Sequence, residues 1–284
     1  MKRTYFLLQL MILGMLFTSC KEQHMLEMEH YIKQVFLIGS GEEGKLLLRK
    51  VDFAENSSEV ATTVCVSGSL APDQDVHVTL EEDASGIVSY NRKHKSEKDI
   101  KYQLLPAENY EISSMNIVVK AGEIDALVPI KVMPKGLHCD SLYAIPLKIK
   151  SCAEYPIVNP DDVVLIAIST YSQYSGNYNY VGEKDGVAFS FLRQAVAVDA
   201  NTIRIYNAGN ETLDLVVNEG LKIHLNEDNT LTLEGWDKME VTESAGTYDP
   251  QTKTFSLDFK YKDAGGAEHT VVGTLVSATE TTKE

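Results

Sequence analysis

Basic residues are scarce in this chain of 284 residues, which has 26 Lys and Arg against 41 Asp and Glu and a net charge of −15. A protein that binds nucleic acid or an anionic membrane surface needs clustered cations. The densest basic run, Arg92-Lys93-His94-Lys95, is followed at once by Glu97 and Asp99, and we interpret it as a solvated loop. The composition therefore argues against nucleic acid as a partner.

Cysteine is also rare, with four in the chain, and none lies in a Cys-x-x-Cys pair or a zinc-ligand spacing. We expect Cys65, inside the strand-like run Val60–Val66, to be a small buried hydrophobe. Cys139 and Cys152 flank a predicted strand, which holds them about 30 Å apart, far beyond the reach of a disulfide. The redox state of these three cysteines stays open, and we predict neither a metal site nor a cofactor.

Catalytic motifs are missing too: there is no Ser nucleophile elbow, no His-Glu-x-x-His and no recognisable pair of glycosidase carboxylates. The carboxylates at Glu81–Asp83, Asp161–Asp162 and Glu227–Asp228 lie in or beside polar turns, where solvation explains them. The run from Gly39 to Gly44 matches G-x-G-x-x-G, but a strand pattern follows it and its two glutamates would repel a pyrophosphate. We predict a hairpin turn there, and a protein that is not an enzyme.

One long apolar run occurs, from Tyr5 to Phe17, between the basic start Met1-Lys2-Arg3 and Thr18-Ser19-Cys20. It is shorter than the ~20 residues that span a bilayer. This layout is typical of a signal peptide, and the residues before Cys20 resemble a bacterial lipobox. The resemblance implies cleavage after residue 19 and acylation of Cys20. Each methylene of an acyl chain that is buried in the bilayer contributes about 0.8 kcal/mol to membrane binding. The alternative is an ordinary buried cysteine after an uncleaved segment.

After a charged tether at 20–31, period-two alternation dominates and helical periodicity is nearly absent, which predicts an all-β protein. Eight strands are predicted in the first part: Val35–Ile38, Lys45–Phe53, Val60–Val66, Val76–Leu80, Tyr110–Val119, Leu127–Val132, Leu142–Ile149 and Val163–Ile168. Seven or eight strands in about 135 residues are typical of an immunoglobulin-like β-sandwich, which we place at 32–170. The last strand is apolar on both faces, as in the centre of a sheet.

A polar, aromatic-rich joint from Tyr171 to Gly176 begins the second part, which we place at 171–284. Apolar residues alternate on both sides of a turn at Asn226–Asn229, which predicts a β-hairpin. The alternation returns from Phe255 to Tyr261, and a last strand runs through Val276. Consecutive antiparallel hairpins of this kind predict a small up-and-down β-barrel or a curled sheet.

The candidate binding residues are aromatic, because flat rings stack on the apolar face of a pyranose while polar neighbours bond its hydroxyls. They are Tyr171, Tyr174, Tyr178, Tyr180 and Trp236. The alternative for each tyrosine is a place in the core or at a domain interface. Trp236 lies in register with the outward Thr232 and Glu234 unless a bulge at Gly235 turns it inward, and both possibilities stay open.

Several stretches carry a family resemblance: Tyr90-Asn91, Tyr102–Pro106 with Tyr110, Ile117–Gly122 and Tyr143–Ile149. They resemble an immunoglobulin-like N-terminal domain of unknown function in Bacteroidetes surface lipoproteins, a type that also fronts endo-β-N-acetylglucosaminidase-like glycosidases. Gly176–Tyr180 and Gly246–Phe255 similarly resemble the lipocalin-like β domain that commonly follows it. The resemblance implies a non-catalytic lipoprotein that is anchored in the outer membrane and belongs to a polysaccharide-utilisation system.

Two functions remain open at this point. One is the binding of an oligosaccharide or a glycoprotein glycan, with importer subunits as further partners. The other is a structural or adhesin-like subunit that binds a protein at the cell surface. Lys21-Glu22 only partly resembles the acidic export signal of such surface lipoproteins. The expectation that the protein faces the cell exterior therefore depends on the family resemblance. The sequence identifies neither the sugar nor the oligomeric state.

Overall fold

The computed structural model describes residues 28–39, 46–207 and 213–278. Cys20 and the signal-like segment lie outside these residues, as does most of the glycine-rich run at 39–44. The described residues form an all-β structure with two parts, a β-sandwich followed by a nearly closed barrel. No helix among them is long and apolar enough to cross a membrane.

The sandwich is built from ten strands. They are Val35–Leu37 (β1), Leu46–Asp52 (β2), Ser58–Val66 (β3), Val76–Glu82 (β4), Tyr102–Leu104 (β5), Tyr110–Ile112 (β6), Asn116–Val119 (β7), Asp125–Val132 (β8), Leu142–Cys152 (β9) and Val164–Tyr171 (β10). One sheet has the order β1-β3-β8-β6, and the other has the order β2-β10-β9-β4-β7, with β5 paired to β9. The inward residues of both sheets, such as Val64, Ile130 and Ile145, form a shared apolar core.

Strand β10 is buried on both faces from Val164 to Ile168, as predicted for a central strand. Its inner face contributes to the sandwich core, and its outer face is covered by helix α1 (Ser85–His94). Ile87 of this helix packs on Ala144 and Leu165. The helix approaches so closely that a Cβ added at Gly86 would lie 2.5 Å from the Val163 side chain.

Helix α1 corrects our interpretation of the basic run at 92–95 as a solvated loop. Arg92, Lys93 and His94 form its last turn, where cations interact favourably with the helix dipole. The apolar contacts of the helix come chiefly from Ile87 and Tyr90, which are three residues apart. Two anchors do not produce a detectable helical period, and for this reason the sequence pattern missed the helix.

One predicted connection and one predicted strand in the sandwich are also wrong. The run at 39–44 does not join a hairpin, because β1 pairs with β3 whereas β2 pairs in parallel with β10 in the other sheet. The predicted strand Tyr110–Val119 is two strands, since β6 pairs with β8 and β7 pairs with β4. In both cases the chain passes from one sheet to the other. Alternation locates strands, but it does not show which strand is the partner.

The barrel contains eight strands and a short helix. They are Gly176–Lys184 (β11), Val187–Ala197 (β12), Thr202–Tyr206 (β13), Leu213–Glu219 (α2), Gly220–Leu225 (β14), Leu231–Trp236 (β15), Glu240–Asp249 (β16), Thr254–Lys262 (β17) and Glu268–Ser277 (β18). The strand order is β15-β14-β13-β12-β11-β18-β17-β16, and a bridge between Thr230 and Thr247 brings the two edges together. Tyr180, Phe255, Phe259 and Tyr261 are fully buried inside.

The predicted hairpins of the barrel are confirmed. Strands β14 and β15 pair in regular antiparallel register around the turn at 226–229. Asn229 adopts a φ of 63° there, a left-handed conformation that asparagine tolerates well. Strand β17 covers the predicted alternation from Phe255 to Tyr261, and β18 includes Val276.

The two parts meet at a tight turn between Tyr171, the last residue of β10, and Gly176, the first of β11. Ser172 is buried, and its amide donates to Ser175 Oγ over 3.1 Å while its carbonyl accepts from the Ser175 hydroxyl over 2.8 Å. The turn coincides with the predicted boundary between residues 170 and 171. That the two parts are independent domains stays a prediction.

The three described cysteines are free thiols, which agrees with the expectation that Cys139 and Cys152 do not pair. The expectation for Cys65 was wrong. Strand β3 alternates, and its inward positions are taken by valines such as Val64 and Val66, so the Cys65 thiol lies half-buried on the outer face of its sheet.

Candidate functional site

A cleft of about 390 Å³ lies between the sandwich and the barrel, and we call it the junction cleft. Strands β2, β9 and β10 form its floor with the outer face of their sheet. Residues 194–197 of β12 form one wall, and Tyr102 of β5 lies on the opposite side. The lining side chains that matter most here are Leu48, Lys50, Tyr102, Ser169, Tyr171 and Gln194.

The alternation of β2 explains why its residues face this cleft. Val51 is fully buried in the core, so Leu48 and Lys50 point to the other side of the sheet. In the parallel pairing with β10, Lys50 lies opposite Ser169. Helix α1 covers a neighbouring part of the same face but leaves this part open, and Leu48 is 55% exposed.

Tyr171 contributes an aromatic ring at the end of β10. It is 40% exposed, and it lines the junction cleft near the start of the barrel. Its backbone is fixed by the β10–β2 pairing and by the Phe53 amide, which donates to the Tyr171 carbonyl over 2.9 Å. The ring therefore stands on a rigid strand end rather than on a loose loop.

Tyr102 is held in place by helix α1. Asn91 accepts from the Tyr102 amide over 2.9 Å and donates to the Tyr102 carbonyl over 2.7 Å. The Tyr90 ring lies edge-on to the Tyr102 ring, with 5.5 Å between centroids, and Lys95 Nζ lies 5.4 Å from the Tyr102 centroid. Burial, together with the neighbouring Tyr90, raises the pKa of Tyr102, so its hydroxyl stays neutral.

The cleft combines features that favour the binding of a polar ligand with an apolar face. Its volume falls within the range of about 300–1,000 Å³ that is common for ligand pockets. Tyr102, Tyr171 and Leu48 offer apolar surface, and Lys50, Ser169 and Gln194 offer hydrogen-bonding groups. Among the described residues that line it there is no aspartate or glutamate. This arrangement can bind a sugar ring, and it offers no pair of carboxylates for acid and base chemistry.

Two of the predicted binding residues are in the barrel core instead. Tyr178 is 5% exposed and Tyr180 is 0% exposed, because β11 turns its tyrosines inward and the intervening Asn179 outward. The Tyr178 ring packs against Phe255, and the Tyr180 ring packs against Phe189. Burial raises the pKa of Tyr178 to about 12. Neither ring has a free face for a sugar, so the prediction for both is corrected.

Tyr174 also belongs to the barrel. It is half-buried, and its ring lies edge-on to Tyr248 at 5.5 Å and to Phe255 at 6.3 Å between centroids. It does not line the junction cleft. Of the four predicted tyrosines, Tyr171 alone lines this cleft. The others confirm the alternative that strand tyrosines pack a core.

Trp236 follows the regular register, since it pairs with Gly220 and Gly235 pairs with Leu221 without a bulge. Its ring therefore lies on the outer face of the barrel, which was one of the two possibilities. It is nonetheless half-buried, because the sandwich covers it. The His138 ring centroid lies 5.6 Å from the Trp236 centroid, and the Arg204 guanidinium lies 6.0 Å from it. Trp236 packs in the junction and does not line the cleft.

A group at the edge of the cleft has the donor types of a metal site. His138, Cys139 and Asp140 place one ligand atom each within 4.8 Å of one another. However, the Arg204 guanidinium forms an ion pair with Asp140. Burial raises the pKa of Cys139 to about 11, and Asp140 adds to this effect, so the thiol is protonated. A bound cation would compete with both, and the group does not fit a metal well.

Sequence reasoning missed Leu48, Lys50, Tyr102 and Gln194 as cleft residues. They come from three strands that are far apart in the chain. The parallel pairing of β2 with β10 places Lys50 beside Ser169, and no short-range pattern indicates this pairing. The one available signal was Leu48, an apolar residue in a strand whose alternate positions Leu47 and Val51 already supply the core face.

Two family models match the chain. Residues 31–156 match a model described as an N-terminal domain, and residues 162–276 match one described as a C-terminal domain. The chain carries both of these domains. No protein of curated function matches the chain.

Solved structures from Bacteroides share the fold. A Bacteroides ovatus protein of unknown function is 19% identical, with a TM-score of 0.63 over 86% of this chain and 94% of that one. A multidomain protein from Bacteroides ovatus is 17% identical, with a TM-score of 0.63 and the same coverage, 86% and 94%. An auxiliary nutrient binding protein from Bacteroides thetaiotaomicron is 17% identical, with a TM-score of 0.58 over 81% and 89%. At such identities the likeness shows the fold alone.

Proposed function

We propose that this protein binds glycans in the junction cleft and takes part in polysaccharide utilisation as a non-catalytic surface lipoprotein. The observation that carries the proposal is the cleft itself, in which the exposed Leu48 and Tyr171 lie beside polar side chains. The similar fold of a nutrient binding protein supports a binding role.

The proposed mode of binding uses both walls of the cleft. The apolar face of a pyranose stacks on the Tyr171 ring, and Ser169 and Gln194 bond its hydroxyls. Tyr102 limits the opposite side of the cleft. Each of these positions is on a strand, so the site needs little ordering when a ligand binds, which favours affinity.

The proposal includes a place for the protein at the outer membrane. Cys20 would carry the lipid, and the charged residues that follow would hold the folded part away from the bilayer. Importer subunits would then receive the captured glycan. Support for this part comes from the lipobox-like sequence before Cys20, which lies outside the described residues.

A protein-binding role is the second candidate, and a different surface favours it. The outer face of the barrel has a shallow depression of about 430 Å³ over β11 and β16–β18. Apolar side chains exposed on this face and on the adjacent β12 are Val181, Leu192, Val272 and Val276. A contiguous apolar sheet face of this kind is typical of a surface that meets another protein.

The test is a glycan array with the chain from residue 21 onward and a Tyr171→Ala variant. We expect specific binding to one class of oligosaccharide and about a tenfold loss of affinity in the variant, which corresponds to about 1.4 kcal/mol. Tyr31→Ala is the matched control, because Tyr31 is 72% exposed and does not line the cleft. Binding that survives Tyr171→Ala, or an array without any bound glycan, would contradict the proposal.

A further inference from the structure

The charge of the junction cleft differs from that of the whole molecule. The chain has 41 acidic and 26 basic residues, yet the described lining of the cleft includes no carboxylate. It does include Lys50, and Lys95 lies over the Tyr102 ring on one side of the cleft. In a strongly acidic protein, a cleft whose described lining has a lysine and no carboxylate is a local exception.

Lys50 is the cation best placed to meet a ligand. It is exposed, it lies opposite Ser169 on the cleft floor, and it forms no ion pair or hydrogen bond with the described residues through its side chain. The nearest acid on the same strand face is Asp52, which pairs with Tyr171. Asp52 Oδ1 accepts from the Ala54 amide over 2.8 Å, so this carboxylate is engaged in its own turn.

Lys95 lies over the Tyr102 ring and also interacts with the Asp99 carboxylate. Its Nζ lies 5.4 Å from the Tyr102 centroid, at the end of helix α1. The nearby Asp99 accepts from the Ser96 amide over 2.7 Å, and its pKa is lowered by these Ser96 contacts and, to a smaller extent, by Lys95. Lys95 does not line the cleft, so Lys50 is the lysine that a ligand meets among the described lining residues.

We infer that the junction cleft takes an anionic saccharide, with its acidic group against Lys50 and a ring face on Tyr171. The inference rests on the proposed function and deepens it to a ligand class. A charge-assisted bond to an ammonium is stronger than one between neutral groups. The net charge of −15 disfavours such a ligand elsewhere on the protein, and this contributes to specificity. A uronate carboxylate and a sugar sulfate share this chemistry.

The experiment is an array that pairs each acidic oligosaccharide with a neutral counterpart. The probes are oligogalacturonates and their methyl esters, sialyllactose and lactose, and κ-carrageenan oligosaccharides and their desulfated forms. The protein is the chain from residue 21 onward. We expect an acidic probe to bind at least tenfold more tightly than its neutral partner. Binding of only the carboxylated probes, or of only the sulfated probes, identifies the anionic group that the cleft recognises.

Lys50→Gln should abolish this preference, so that each acidic probe binds no more tightly than its neutral partner. Lys131→Gln is the matched control, since Lys131 is exposed on β8 in the opposite sheet and should change nothing. If neutral probes bind as tightly as acidic ones and Tyr171→Ala still removes binding, the inference fails while the proposed function stands. If no probe of either kind binds, both fail.

Discussion

Arg204 of the barrel forms an ion pair with Asp140 of the sandwich, across the junction of the two parts. The side chains are 4% and 14% exposed, so both charges lie largely out of water. Trp236 packs beside this pair against His138. These contacts join the barrel to the sandwich beside the junction cleft.

Breaking this ion pair should destabilise the protein, and the two halves should differ. Asp140→Asn removes a countercharge from the more deeply buried Arg204, and we expect a loss of about 3–5 kcal/mol, as is typical of a broken buried pair. Arg204→Met removes the partner of Asp140, which is the more exposed of the two side chains, so the loss of stability should be smaller. Urea denaturation measures both.

The control for this prediction is the exposed pair of Lys260 and Glu243, 2.7 Å apart, in which both side chains are at least half exposed. Glu243→Gln should change the unfolding free energy by less than about 1 kcal/mol. Equal small losses in Asp140→Asn and Glu243→Gln would show that the junction pair is solvated and does not hold the two parts together.

Trp236→Ala should reduce stability and not glycan affinity. The ring is half-buried between the barrel and His138, and we expect a loss of about 1–3 kcal/mol in the free energy of unfolding. Because Trp236 is the single tryptophan, its fluorescence reports on this junction alone, and acrylamide should quench it partly. An emission like that of free tryptophan, with a stability loss under about 0.5 kcal/mol, would place the ring in solvent and return it to the candidate binding residues.

Trp236 and the tyrosines show how far the sequence determines the site. The register of β15 left an outward and an inward Trp236 open, and the pairing without a bulge places the ring outward. A side chain that points outward from one part of the protein is not exposed to solvent, however, when the other part packs against it. In β11 the alternation Tyr-Asn-Tyr already indicated the correct arrangement, since it places Tyr178 and Tyr180 together on the core face of the strand. The tyrosines are close together in the sequence, which suggested that they share a binding site. The alternation of inward and outward residues along the strands, however, places their rings on different faces.

The fold was more predictable than the site for a physical reason. Strands such as β3, β9 and β17 lie close to their predicted bounds, because half-burial in a sheet imposes a period of two on each segment alone. The cleft requires pairings between distant segments, such as Lys50 with Ser169, and the fixed position of the barrel. Neither leaves a local pattern in the sequence.

Lipidation at Cys20 stays a prediction, and it has a direct test. Cells that express the full chain should incorporate a palmitate analogue into the protein, and Cys20→Ala should abolish the label, because the thioether forms on this thiol. Cys65→Ala is the matched control, since Cys65 lies in the folded sandwich. A labelled Cys20→Ala protein would show that the lipid, if present, is attached elsewhere.

Stability in acid should depend on Asp83, which lies just before helix α1. Lys148 Nζ lies 2.8 Å from Asp83 Oδ2, and the Ser85 amide donates to Asp83 Oδ1 over 3.0 Å. These donors, Lys148 above all, lower the pKa of Asp83 from its ordinary 3.8 to about 2. Since the pKa is lower in the folded state, the carboxylate contributes stability above pH 4, and this contribution disappears as the pH falls from about 4 to 2.

The wild-type protein and an Asp83→Asn variant should therefore differ most in unfolding free energy near pH 6. The difference should shrink steadily between pH 4 and pH 2, where the wild-type carboxyl becomes protonated and resembles the amide. Lys148→Met should reduce the same pH dependence, because it removes the main donor, although Lys148 also lies 3.4 Å from Glu81. Adding Asp83→Asn to Lys148→Met should then change the profile little. A difference between wild type and Asp83→Asn that stays constant from pH 6 to pH 2 would show that Asp83 is not held ionised by these contacts.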